Sequence, residues 1–238
     1  MQPQTAAASP IRVRGDLDPA VSRWQWIFKW ILAIPHYIVL FFLHIAYFVV
    51  TIVAFFAILI IGRYPRALFD FSVGVLRWGW RVEFYAWSPL GTDRYPPFSL
   101  KSRDDYPADL EVDYPERLHR GLVLIKWWLL AIPQYLIVYA FVGESWSWTW
   151  RGDDGDQTTM MVYAPLLGVL VLIAAIGLLF TGRYPRGLFD FVMGLNRWML
   201  RVQIYTTLLR DEYPPFRLDQ GAREPEAGPQ PAAGAAFA

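Results

Sequence analysis

The chain has 238 residues, 55% of them hydrophobic and 17% aromatic, with a formal net charge of +1 and no cysteine. It is too apolar for a typical soluble domain and lacks the strongly basic balance that marks nucleic-acid binding. Without cysteine there is no disulfide, thiolate nucleophile, iron–sulfur cluster or cysteine zinc site, and the class that remains is an all-α integral membrane protein.

Residues 1–10 are small and polar and read as a disordered tail. Residues 1–20 hold no apolar signal-type core, so the N-terminus is expected to stay on the side where it is made. Ile11-Arg-Val13 alternates apolar and polar residues, as do Phe98-Ser-Leu100, Leu110-Glu-Val112 and Phe216-Arg-Leu218. Each run is too short to stand alone, and the four are expected to pair into one small sheet.

From Ile31 to Ile61 there are 31 residues without Asp, Glu, Lys or Arg, well beyond the ~20 that a helix needs to cross a ~30 Å hydrocarbon core. The stretch is either one helix kinked at Pro35 or a hairpin of two helices turning near His44. A later stretch favours the hairpin. There, Lys126–Val142 is apolar, residues 143–159 are polar and loop-like, and Met160–Thr181 is apolar again. Trp30-Ile-Leu-Ala-Ile-Pro35 matches Trp128-Leu-Leu-Ala-Ile-Pro133, so hairpins over 27–61 and 126–181 are expected, the second with an outer loop at 143–159.

Four transmembrane helices put both termini on one side. On that topology the outer side carries only Arg151 among the basic residues, with Glu144, Asp153, Asp154 and Asp156 beside it, and the positive-inside rule makes the termini cytoplasmic in a plasma (inner) membrane. Trp146, Trp148 and Trp150 fall at the outer face. Trp24, Trp26, Trp30, Trp78, Trp80, Trp87, Trp127, Trp128 and Trp198 fall near the inner one, as interfacial anchors rather than an aromatic ligand cage.

After each hairpin comes Gly-Arg-Tyr-Pro, in which Gly62 or Gly182 suits a helix C-cap and Pro65 or Pro185 the first turn of a new helix. Amphipathic helices follow at 65–87 and 185–206, expected to lie in the inner interface. At 100° per residue Arg66, Asp70, Arg77 and Arg81 fall on one stripe, and Arg186, Asp190, Arg197 and Arg201 repeat it. With Arg63 and Arg183 these form the candidate cluster. Either the aspartates tie their arginines into a structural network, or the guanidinium forks hold anionic lipid phosphates. Residues 101–116 read as a charged connector, and residues 219–238, rich in Ala, Pro, Gly and Glu, as a disordered tail whose loss is harmless to folding.

The chain is a tandem duplication. GRYPRALFDFSVGVLRW (Gly62–Trp78) returns as GRYPRGLFDFVMGLNRW (Gly182–Trp198), identical at 12 of 17 positions. Arg81, Val82, Tyr85, Asp93, Tyr95-Pro-Pro-Phe98 and Leu100 return as Arg201, Val202, Tyr205, Asp211, Tyr213-Pro-Pro-Phe216 and Leu218. Repeat 1 covers 11–100, closing in the tail 95–100, and repeat 2 covers 117–218, closing in 213–218. This RYPxxLFDF…RW…RV…Y…YPPF module resembles a family of bacterial membrane proteins catalogued as a domain of unknown function. The resemblance implies an integral membrane protein and carries no reaction, cofactor or ligand.

No catalytic residues, cofactor or metal ligands are identified. His36 and His44 invite a haem reading, but their counterparts, Gln134 and approximately Val142, cannot repeat it, and both read as packed histidines. Asp153, Asp154 and Asp156 hint only weakly at calcium. Proton- or ion-coupled transport is disfavoured by spans free of ionisable residues. The reading is a non-enzymatic scaffold or accessory subunit whose partners are membrane lipids, a further protein or a second copy. The alternative is a transporter or binder of a lipid or small apolar molecule. A deep apolar pocket between the repeats would favour the alternative, and a tightly packed interface the scaffold.

Overall fold

Each repeat turns at a glycine. Gly62 and Gly182 hold φ of 72° and 68°, in the left-handed region that a Cβ disfavours, and their N–H groups close the preceding helices on Ile58 and Leu178. The computed structural model describes residues 9–143, 145–151, 157–163 and 165–224. In repeat 1, helix α1 (Trp26–Leu32) leads through Ala33 into the long helix α2 (Ile34–Ile61), and α3 (Arg66–Ala86) returns along it. Repeat 2 contains α4 (Arg120–Ile125), a π-helical turn (Lys126–Leu130), α5 (Ile132–Val142), α6 (Leu166–Thr181) and α7 (Arg186–Thr206). The described chain is therefore mostly helical, with strands β1 (Ile11–Gly15), β2 (Ala108–Val112), β3 (Ser145–Arg151) and β4 (Gln157–Tyr163).

The turn expected near His44 is absent, because α2 runs unbroken through that position. Between Pro35 and Gly62 the chain holds no Gly, Pro, Asn or Asp, the residues that would end or turn a helix there. At 1.5 Å per residue its 28 residues extend ~42 Å. Among the described residues it is the one helix long and apolar enough to cross a membrane, and Arg120–Leu130 with Ile132–Val142 would join it only as a pair bent by 41°.

Repeat 2 is the same rod with an insertion. From Pro133 to Gly182 the chain is 22 residues longer than from Pro35 to Gly62, and the excess lies between α5 and α6. There β3 and β4 pair antiparallel, from Ser145 opposite Tyr163 to Arg151 opposite Gln157. The expected outer loop is thus in large part a β-hairpin. Around it the helical contacts of repeat 1 persist: Gln134 stands where His36 stands, and buried Leu167, Ala174 and Leu178 stand where Tyr47, Ala54 and Ile58 do. A smaller insertion lies upstream. Lys29 and Pro35 are six positions apart, Lys126 and Pro133 seven, and the π turn between them absorbs the extra residue.

Only two of the four expected strand segments pair, β1 with β2, from Ile11 opposite Val112 to Gly15 opposite Ala108. Phe98–Leu100 and Phe216–Leu218 form no strand. Their leucines instead seat on helix glycines: a Cβ on Gly74 would stand 2.8 Å from Leu100 Cβ, and one on Gly194 2.9 Å from Leu218 Cγ. The charged connector contains β2, with Asp109 and Leu110 buried. The start of the C-terminal tail, expected to be disordered, is instead packed, since Asp219 is buried and Ala222 accepts from the Gly15 N–H at 2.9 Å.

The two repeats share one core that includes Val13 and Leu110 of the sheet, Phe84 of α3, and Phe189 and Met193 of α7. The corner of each repeat abuts the start of the other. Leu118 N–H donates to Gly62 at 2.9 Å, and the Arg23 guanidinium lies against Gly182.

Candidate functional site: a groove between the repeats

The arginine stripe divides in two. Arg66 pairs with Asp70 at 3.2 Å, both exposed, while Arg77 and Arg81 turn away from Asp70 toward Asp109 on β2, at 3.3 and 2.9 Å. Arg81 is fully buried and also donates to the Ser99 and Lys101 carbonyls. In repeat 2, Arg201 meets Asp219 at 2.6 Å and Glu224 at 2.9 Å, and Arg197 donates to the carbonyls of Asp219, Gly221 and Val13. No ion pair joins Asp190 to Arg186 among the described residues. Arg63, Arg66, Arg183 and Arg186, at the corners, remain exposed.

A second set of charges, unanticipated from sequence, locks each repeat. The Lys29 ammonium is fully buried against Asp93 at 2.8 Å and the Thr92 carbonyl at 2.7 Å, under the Tyr85 ring. Lys126 repeats this with Asp211 at 2.7 Å, the Arg210 carbonyl at 3.0 Å and Tyr205. Burial pulls the Lys29 ammonium below the ordinary lysine range, and Asp93 opposes that shift. Close by, the Trp78 indole N–H donates to His36 Nδ1 at 3.1 Å, and Trp198 to Gln134 Oε1 at 2.7 Å. His36 stacks on Phe98 at 3.9 Å. The two differing residues perform one task, accepting an indole proton. Asp153, Asp154 and Asp156 lie outside the described residues.

Between the repeats opens an apolar groove of about 790 Å³. One wall is repeat 1: Trp26 and Trp30, four apart on one face of α1, with Glu83 in the last turn of α3 and Trp87 just past its end. Leu167, Val171, Leu172 and Ala175 of α6 form the other, and Val142 and Pro165 stand at the stem of the inserted hairpin. The groove is not duplicated in chemistry, since Val123, Gln203 and Thr207 occupy the positions equivalent to Trp26, Glu83 and Trp87. The Glu83 carboxyl has no hydrogen bond or ion pair among the described residues, and burial pushes it up to about 7. The buried Trp26 Nε1 likewise lacks a partner. A cleft of this size, mostly apolar with a few polar groups, has the form of a small-molecule site. A smaller polar cleft of about 360 Å³ has its charges already paired, Arg12 with Glu111 and Asp113, and Glu224 with Arg201.

The indole positions were legible in sequence, but not their convergence, which depends on a contact between α1 and α3 more than 50 residues apart. Comparison with curated proteins and with solved structures returns no match. The family model described as a domain of unknown function (DUF4389) matches residues 23–99 and 159–217. Its second segment begins only at β4, as expected where the inserted hairpin interrupts the long helix. With both repeats and more than half its length matched, the chain belongs to the DUF4389 family.

Proposed function

We propose that the chain is a membrane-embedded protein that holds a lipid or small apolar molecule in the groove between its repeats. The groove is the observation that carries this reading over the scaffold, because a scaffold needs no cavity where its repeats meet. Its surroundings support a lipid environment: Phe41, Phe48 and Phe56 on α2 and Leu136, Ile173 and Phe180 on α5 and α6 all point outward. The unbroken α2 also bears on how the chain meets the bilayer. If α2 crossed it, the basic residues near its start (Arg23, Arg183) and at its end (Arg63, Arg66) would face opposite sides. Laid in the membrane plane, the long helices put their apolar faces into one leaflet and keep those arginines in one headgroup layer, facing anionic lipid. We favour this arrangement, on the inner face of the plasma membrane with both termini cytoplasmic, over four crossings.

The test is native mass spectrometry of the full chain extracted in mild detergent. Wild type and Ile173→Trp, an exposed neighbour outside the groove, are expected to retain a bound lipid or apolar molecule. Leu172→Trp, which fills the groove, is expected to lose it. Retention of a protein partner or second copy with no small molecule in any variant would overturn the reading in favour of the scaffold.

A further inference from the structure

Resting on that reading, we propose that the occupant is a zwitterionic lipid recognised by its ammonium headgroup, which sits among Trp26, Trp30 and Trp87 beside Glu83. Among the described residues the lining carries one charged residue, and it is acidic. An ammonium group is drawn both to a carboxylate and to the faces of indoles, and three indoles line this groove, Trp26 and Trp30 on one face of α1 and Trp87 just past the end of α3, with Glu83. An anionic headgroup would instead meet like charge. Lys29, the basic residue nearest on α1, is committed to Asp93 and Thr92 and leaves Glu83 uncompensated.

The unpartnered Trp26 N–H gives the second half of the headgroup a place. It has no partner among the described residues and is closed off from solvent, so a phosphate or ester oxygen, a few bonds from the ammonium in such a lipid, reaches it only with a turn of the indole ring. The Glu83 carboxyl, raised toward neutrality by burial, ionises further when a cation arrives beside it. Free choline is too small for a groove of about 790 Å³ whose far wall is Leu167, Val171, Leu172 and Ala175, so the occupant brings an acyl chain. Repeat 2 offers Gln203 and Thr207 at the same places, so the stoichiometry is one lipid per chain.

Isothermal titration calorimetry of the full chain in an uncharged detergent tests this, with lysophosphatidylcholine, lysophosphatidylglycerol and free choline as probes. Lysophosphatidylcholine is expected to bind one to one, roughly tenfold more weakly to Glu83→Gln and to Trp87→Thr, and unchanged to Gln203→Ala. Lysophosphatidylglycerol should bind more weakly to wild type, and Glu83→Gln, which removes the like charge, should strengthen its binding. Equal binding of the two lysolipids, untouched by Glu83→Gln but abolished by Leu172→Trp, would overturn headgroup selection and leave the apolar groove standing. Binding of neither lysolipid would sink the groove reading itself, and choline binding as tightly as its lysolipid would overturn the acyl chain. Trp87 is more than half exposed, so its replacement removes little buried contact, and the Gln203→Ala and Glu83→Gln variants stand beside it.

Discussion

Lys29 is fully buried, yet its ammonium has a carboxylate, a carbonyl and an aromatic face around it. Desolvating the ion is costly, so the pair is poor evidence of net stability, but breaking it strands a buried charge. Lys29→Met is expected to destabilise the chain by ~3–5 kcal/mol, and Lys29→Met with Asp93→Leu by less than the sum of the single changes, in denaturant titrations of the detergent-solubilised protein. Arg66→Ala, at an exposed pair, should change stability by no more than ~0.5 kcal/mol. Glu83 makes stability depend on pH. Its folded pKa is raised above the unfolded value, so its contribution is fully present below about pH 4 and is lost as pH rises through about 7. No charged neighbour among the described residues offsets it. Between pH 5 and 8 the melting temperature of wild type should therefore fall relative to that of Glu83→Gln. The sequence displayed Asp93 and Asp211 as repeated residues but hid their partners: the lysines lie 64 and 85 positions upstream, and the extra residue of the π turn puts Lys126 out of register with the Trp-Leu-Leu-Ala-Ile-Pro match.

The glycine corners were legible because a left-handed cap followed by proline is a local requirement, satisfied within four residues. The long helix was not. A stretch in which nearly every residue is apolar shows no periodicity to distinguish one helix from two, and the polar hairpin of repeat 2 looks from sequence like the turn between paired spans. Contacts decide the matter: α5 and α6 meet α7 at the positions where the single α2 meets α3. Replacing residues 143–165 by one isoleucine, the residue at the equivalent point of repeat 1, should join α5 to α6 as one helix. Far-ultraviolet circular dichroism should then show more helix per residue, with the melting temperature held within a few degrees. Loss of the fold on this deletion would mean that the hairpin is structural. The start of the C-terminal tail was misread for a different reason. Asp219 and Glu224 lie in a composition typical of disorder, but Arg197 and Arg201 are buried without other carboxylates among the described residues. Asp219→Ala with Glu224→Ala should cost about as much as breaking the Lys29 pair.

Across the molecule, the end of each long helix meets the beginning of the other, so the two rods run in opposite senses with the β1–β2 sheet between α3 and α7. Nitroxide labels at Ile38, Val49 and Ile60, all exposed on α2, distinguish the two ways such a pair can sit in lipid. A rod in the membrane plane gives all three labels one depth by oxygen and nickel accessibility, whereas a crossing rod gives a steep gradient with its deepest point at Val49. The inserted hairpin has one more implication. Its stem residues, Val142 and Pro165, stand in the wall of the groove. The insertion therefore bounds the cavity at its stem, a boundary that the unbroken rod of repeat 1 has no counterpart for.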